Sequence, residues 1–141
     1  RFMIAAGDRT ATGSDIAVTL KDVRQIQLAK GALCTGIAFL MRKAGIERID
    51  RTILTGAFGA RFNWENAMAI GMLPSAVARG DVAPKDNLAG VGVVMALLDK
   101  KLRAEARELC RRIRYLELAA DPAFAMAFAQ ATAFPDNRAL P

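Results

Sequence analysis

The chain has 141 residues, 53% apolar and 24% charged, which suits one globular core and excludes both a pair of independent domains and a disordered segment. No apolar run reaches the ~18 residues of a membrane span, no signal peptide is visible, and no histidine is present, which removes the commonest general base and the usual catalytic zinc chemistry. A net charge of +6 suits an anionic ligand such as a nucleotide. Cys34 and Cys110 have no CxxC spacing, so no metal site is expected in the chain and both are read as reduced core thiols of a cytoplasmic protein.

In chain order, Phe2 to Ala6 reads as a strand. It starts at once after Arg1, without an initiator Met, and so suggests a piece of a longer protein. Gly7 to Ser14 is a polar turn and Ile16 to Thr19 a returning strand, together a hairpin. Gly7 and Gly13 do not make a phosphate loop, because the Walker lysine is missing and no helix follows directly. From Lys21 to Ala44 runs the longest helix, with Val23, Ile26, Leu33, Ile37, Leu40, Met41 and Ala44 at three- and four-residue steps and Gly45 as its stop. Lys30 falls on that apolar stripe with Gln27 beside it. A cation there must snorkel, pair or meet a ligand. Arg24 and Gln27 extend the polar edge towards the helix start.

Thr52 to Thr55 reads as a buried strand that breaks on Gly56-Ala57-Phe58-Gly59. Two glycines spaced three apart make a tight strand-to-helix turn, and they also let a backbone approach something flat or bulky. Asn63 caps a short helix from Trp64 to Ile70, which Gly71 and Pro74 end. Val82-Ala83-Pro84 is a brief edge strand, and Asn87 caps a helix from Leu88 to Leu98. Gly90 and Gly92 weaken that helix by about 1 kcal/mol each, so close contact with a backbone or ligand is expected in return.

A further helix, 102–113, is read with Leu102, Ala106, Leu109 and Ile113 inward and Arg103, Arg107, Arg111 and Arg114 as a basic face. Such a face is ordinarily solvated, and without interleaved aromatics no nucleic-acid partner is expected. Tyr115 to Leu118 alternates like a strand. Asp121-Pro122 opens the last helix, with Phe124 and Phe128 one turn apart. Residues 1–135 are expected to form one domain and 136–141 a loose tail. The elements are expected to bury a continuous core as an α/β fold, a small mixed sheet with helices on both faces.

The order strand, long helix, strand-GxxG, capped helix, glycine-bearing helix resembles the last subdomain of the actin, sugar-kinase and heat-shock-chaperone ATPase (ASKHA) superfamily, a ribonuclease H-like fold. Leu54 to Gly59 matches its strand-glycine adenosine motif, and Asn87 to Gly92 is similar to the small-residue helix that follows it. Within the superfamily, Lys21 to Ala32, Thr55 to Gly59, Ala69 to Pro74, Tyr115 to Leu118 and the closing Phe124, Phe128, Phe134-Pro135 pattern resemble the ATP-dependent reductive activators of corrinoid proteins. The resemblance implies an ATP-driven electron-transfer protein that returns cob(II)alamin to cob(I)alamin in a corrinoid methyltransfer protein. A plant-type [2Fe–2S] cluster sits in an N-terminal domain of such proteins.

This chain has neither the cluster's cysteines nor the acidic and glycine loops that hold Mg²⁺ and phosphates in the superfamily. It is therefore expected to be the adenosine side of the ATP cleft, with no catalytic residue of its own. Gly56, Ala57, Phe58 and Gly59 are the first candidates for nucleotide contact, with Gly90 from the second motif and Arg24, Gln27 and Lys30 as the facing wall. A non-catalytic interaction or homodimerisation module of the same fold, or part of another ASKHA kinase or ATPase, are the alternatives.

Overall fold

The computed structural model describes residues 1–56, 61–78 and 81–136. Strands β1 (Phe2–Ala5) and β2 (Ile16–Val18) form the expected antiparallel hairpin. Its turn is closed by Asp15, which accepts from the Gly7 N–H at 2.9 Å and pairs with Arg1 at 2.6 Å. A Cβ at Gly7 would come 2.6 Å from the Gly13 carbonyl oxygen, so this glycine serves turn closure. The carboxylate of Asp15 already occupies the N–H that a phosphate loop would offer.

Helix α1 (Leu20–Ala44) starts in a capping box: the Thr19 hydroxyl accepts from the Asp22 N–H, and the Asp22 carboxylate accepts from the Thr19 N–H at 2.8 Å. The Thr19 hydroxyl, donating to the Asp22 carboxylate at 2.7 Å, and then the Thr19 N–H hold that carboxyl below the usual carboxylate range. Gly45, at φ 67°, ends the helix in the left-handed region. Strand β3 (Arg51–Thr55) then pairs in parallel with β4 (Asp81–Lys85), Thr52 opposite Val82 and Leu54 opposite Pro84. A parallel pair needs a crossover, supplied by α2 (Trp64–Ala69) and α3 (Ser75–Ala78). Asn63 caps α2 through the Asn66 N–H at 2.7 Å. Pro84 has no N–H to give the ladder, which suits a strand at the edge.

The remaining helices are α4 (Leu88–Leu98), α5 (Lys100–Arg112) and α6 (Pro122–Ala131). Helix α6 runs antiparallel along α1. Phe124 meets Phe39 edge-on at 5.2 Å, and a Cβ at Gly31 would lie 3.3 Å from Phe128 and Thr132. Both ends of α6 are fastened to α1. At the start, Asp121, the N-cap, pairs with Arg42 at 3.6 Å; at the end, Lys30 Nζ donates to the Ala131 carbonyl at 2.6 Å. A cation against the last carbonyls of a helix is favourable.

The structure corrects several expectations. The fold is α/β, but the strands form two separate two-stranded ladders among the described residues, not one sheet. The buried face of α1 is Lys30, Gly31, Thr35 and Phe39, set by where α6 docks; Ile26, Leu33 and Leu40 on the apolar stripe are about half exposed. Among the described residues no continuous core forms: the buried cluster is Ala67, Met72, Leu73 and Val77 of the crossover, backed by half-buried Ile37, Ile49 and Trp64. Leu109 and Ile113 of the α5 region face solvent, because among the described elements α4 is the one that packs closely on that helix. Tyr115 to Leu118 finds no partner strand among the described residues, and Tyr115 is exposed with its hydroxyl on Glu117 at 2.6 Å. Cys110 is exposed and Cys34 half-buried, so only the second approaches a core thiol. Pro135 lies against the Gly71 turn, where a Cβ would come 3.0 Å from its ring.

Candidate functional site

Parallel strands point their carboxyl ends the same way, and ligands of open α/β sheets bind at those ends. Here the ends are Thr55 of β3 and Lys85 of β4. Gly56 follows Thr55 with φ 86°, and a Cβ built on it meets no atom within 4 Å among the described residues. Its freedom is thus used for backbone direction and for an unfilled approach, not for packing. Ala57, Phe58 and Gly59 lie outside the described residues.

The start of α4 is tied to this strand end. The Thr55 hydroxyl accepts from the Leu88 N–H at 3.1 Å, so one of the orphan donors of the α4 N-terminus is satisfied by β3 itself. Asn87, at φ 27°, caps the helix through the Gly90 N–H at 3.1 Å. A Cβ at Gly90 would collide with the Asn87 side-chain amide. Gly90 is therefore small for the sake of the cap, whereas a Cβ at Gly92 would meet no atom within 4 Å among the described residues. The Gly56 turn and the Asn87 cap come together, and among the described residues at this strand end Gly56 is the glycine that leaves a space free.

A cleft of about 550 Å³ runs along β3 and is walled by Leu33 and Ile37 of α1, Thr52, Leu54 and Thr55 of β3, and Phe62. Consecutive residues of one strand line it, so it follows the strand's edge as well as a face. The Thr52 hydroxyl oxygen is buried without a hydrogen-bond partner among the described residues. Such an atom costs free energy unless something polar meets it.

Arg24, Gln27 and Lys30 are placed differently from one another. Lys30 is 2% exposed and faces α6. Its ammonium is 5.5 Å from the Phe134 ring centre, and burial pushes its pKa below the usual lysine range. It neither snorkels nor points at the open strand end. Gln27 is half-buried and Arg24 exposed. Among the described residues no hydrogen bond or ion pair joins any of the three to Thr55, Gly56 or Asn87. Thr55 stands in the strand-glycine motif, but its bond to the α4 start has no signal in sequence, since a threonine in a strand looks like an ordinary β-former. The Thr-x-x-Asp signal before α1 was available and would have set that helix start. Among the described residues no His, Cys, Asp and Glu side chains gather as a metal site, and no helix is long and apolar enough to cross a membrane.

The fold and this strand end define an ASKHA-type α/β domain. It superposes on the solved reductive activator for a corrinoid, iron–sulfur protein with a TM-score of 0.82 at 30% identity, over 95% of this chain and 22% of that one. It is also 36% identical over 138 residues to the corrinoid activation enzyme RamQ of Eubacterium limosum, covering 96% of this chain and 23% of that protein. The family model described as the C-terminal domain of RACo, the ASKHA domain, matches residues 1–141, and the chain belongs to that family. It spans under a quarter of the length of these relatives.

Proposed function

We propose that this chain forms the adenosine-facing wall of an ATP cleft in a longer corrinoid reductive activator. The observation that carries the reading is the Thr55–Leu88 hydrogen bond, which joins the strand-glycine segment to the capped helix at the carboxyl ends of β3 and β4. The open space at Gly56 fits a flat, bulky adenosine. In this reading Gly56 and the neighbouring Ala57, Phe58 and Gly59 contact the nucleotide through backbone, while Asn87 and Gly90 hold the α4 start in position. Arg24, Gln27 and Lys30 remain candidates for the opposite wall; for Lys30 this requires release from Ala131.

When bound, ATP with Mg²⁺ supplies the free energy for an uphill one-electron reduction of cob(II)alamin to cob(I)alamin in a corrinoid partner protein. The electron would come through an iron–sulfur cluster carried elsewhere in the parent protein. This chain's part is to bind and orient the adenosine and to exclude water from one side of it.

Gly45 provides the control that tests this. Like Gly56 it has positive φ and open space around a Cβ, but it stands at the far end of α1. Gly56→Val and Gly45→Val in the parent protein carry the same kind of backbone strain, about 1–2 kcal/mol. Both are expected to lower the melting temperature, and only Gly56→Val to weaken ATP binding at least tenfold by calorimetry. Equal ATP affinity in the two folded variants would remove the Gly56 turn from the site.

A further inference from the structure

Helix α6 is joined to the rest of the chain through one close neighbour. Among the described elements α1 is the one it packs closely on, and no residue of α6 is itself buried. Beneath it α1 buries Lys30, Gly31, Thr35 and Phe39, of which Phe39 is the large apolar side chain. The crossover cluster forms elsewhere, and neither its members nor the side chains packed against it come from α6. The segment that leads to α6, residues 113–120, forms no helix or strand and is exposed except for Leu118.

A short set of contacts therefore closes α6 on α1. At its start the Arg42 guanidinium lies 4.0 Å from the Phe39 ring centre and 3.6 Å from Asp121, a pair open to water and so of small worth. In the middle, Phe124 meets Phe39 edge-on and Phe128 lies over Gly31. At the end, Lys30 Nζ donates to the Ala131 carbonyl with the Phe134 ring 5.5 Å away, and Pro135 and the same ammonium both border the Gly71 turn.

Lys30 makes this closure a compromise. Its carbon chain fills the seat, but closing α6 takes the ammonium out of water, and a carbonyl and a ring return only part of what hydration gave. Opening gives that hydration back. Units with few buried apolar contacts open at a lower cost than the rest of a fold.

We propose that α6 and Thr132 to Pro135 form a strap that opens and closes on α1 as one unit while β3, β4 and their crossover stay folded, with Lys30 as the clasp that keeps the closure reversible. Opening uncovers Gly31 and Phe39 and frees Lys30 from Ala131. The strap needs no ligand and so does not depend on the nucleotide reading.

The test is native-state hydrogen exchange on the full-length parent, read by mass spectrometry on peptides from α6 and from the crossover. In the wild type, α6 amides are expected to be about tenfold or more less protected than those of Met72 to Val77. Lys30→Met is expected to raise α6 protection about tenfold, because a buried methionine leaves no ammonium to rehydrate, and to leave the crossover unchanged. Phe39→Ala is expected to lower α6 protection about tenfold or more, again without moving the crossover. Equal protection of α6 and the crossover in the wild type overturns the proposal, whether the two open together or another part of the parent covers α6. A shift of both regions together in either variant overturns it as well. So does a loss of α6 protection in Lys30→Met, which would make Lys30 a plain stabilising tie. Exchange of wild-type α6 at the rate of a free peptide would mean that no closed strap exists and would equally overturn it.

Discussion

The crossover between β3 and β4 and the helix α4 are both rich in apolar side chains, yet only the crossover buries them. Met72, Leu73 and Val77 are at most 7% exposed, while Val93, Leu97 and Leu98 are 60% exposed or more. A helix apolar all round is normally buried on every side. Helix α4 touches β3 through one hydrogen bond at its start and α5 along its side, so its sequence is suited to a covering that is not among the described residues. The whole chain exposes 11036 Å² at 15.2 kDa, against about 7,100 Å² for a self-contained monomer of that mass. The difference is larger than the share that one partner contributes to a typical obligate interface, about 1,000–2,500 Å². The small domain thus has two kinds of apolar residue: those that hold its own crossover together, and those that wait for a neighbour.

The largest expected effect separates these two kinds. Leu73→Ala removes a side chain from the crossover cluster and is expected to cost about 2–5 kcal/mol. Leu97→Ala is expected to stay within roughly 0.5 kcal/mol in the isolated chain. Urea denaturation of both proteins measures the contrast. A Leu97→Ala cost equal to that of Leu73→Ala would mean that α4 is already packed and the comparison is false. In the parent protein the gap should narrow, since a covered Leu97 then leaves a cavity too.

A second, smaller effect sharpens the view of how α6 is held to α1. Burial disfavours the Lys30 ammonium, so the folded chain binds that proton less tightly than the unfolded one. Stability contributed at this site is therefore lowest at neutral pH, and it rises with pH from the lowered folded pKa up to the usual lysine range. Lys30→Met should lack that rise, which denaturation midpoints across the alkaline range would show as converging curves. Parallel curves would mean that Lys30 is not buried in solution. The same linkage, with the same sign, applies to Asp22, whose carboxyl is depressed by Thr19: its stabilisation is present above the usual carboxylate range and is lost as pH falls through the folded value.

What the sequence made legible was mostly local. Gly45, Asn63, Asn87 and Asp121-Pro122 mark helix ends because capping is decided within a few residues, and each performs that role. The glycine turn after Thr55 was likewise readable as the strand's end, and Gly56 stands there with φ 86°. The face that α1 buries was not. Its Ile26–Leu33–Leu40 stripe is the more apolar side, but α6 docks on Gly31, Thr35 and Phe39, and Lys30 joins them because the end of α6 offers it a carbonyl. The Thr55–Leu88 bond was equally hidden, since it depends on where a later helix starts. The inward face assigned to α5 failed for a related reason: amphipathic spacing gives a helix an apolar side without saying that anything in the same chain covers it.

The smallest effect concerns Asn87 and Gly90, and it tests whether α4 owes its start to local chemistry or to a covering neighbour. Asn87→Ala removes the side-chain acceptor for the Gly90 N–H and should cost about 1 kcal/mol. Gly90→Ala gains about the same amount from helix propensity, but its methyl takes the place of the Asn87 amide and so displaces the cap. The two contributions nearly cancel, and Gly90→Ala is expected to leave urea stability almost unchanged. Once Asn87 is already alanine, the clash is gone and only the propensity gain remains. Gly90→Ala should then stabilise the chain by about 1 kcal/mol. A double-mutant cycle therefore gives a coupling of about 1 kcal/mol between two residues that look independently dispensable. No coupling would mean that the glycine answers to something outside the cap, and a ligand at the strand end would become the better account of why it is there.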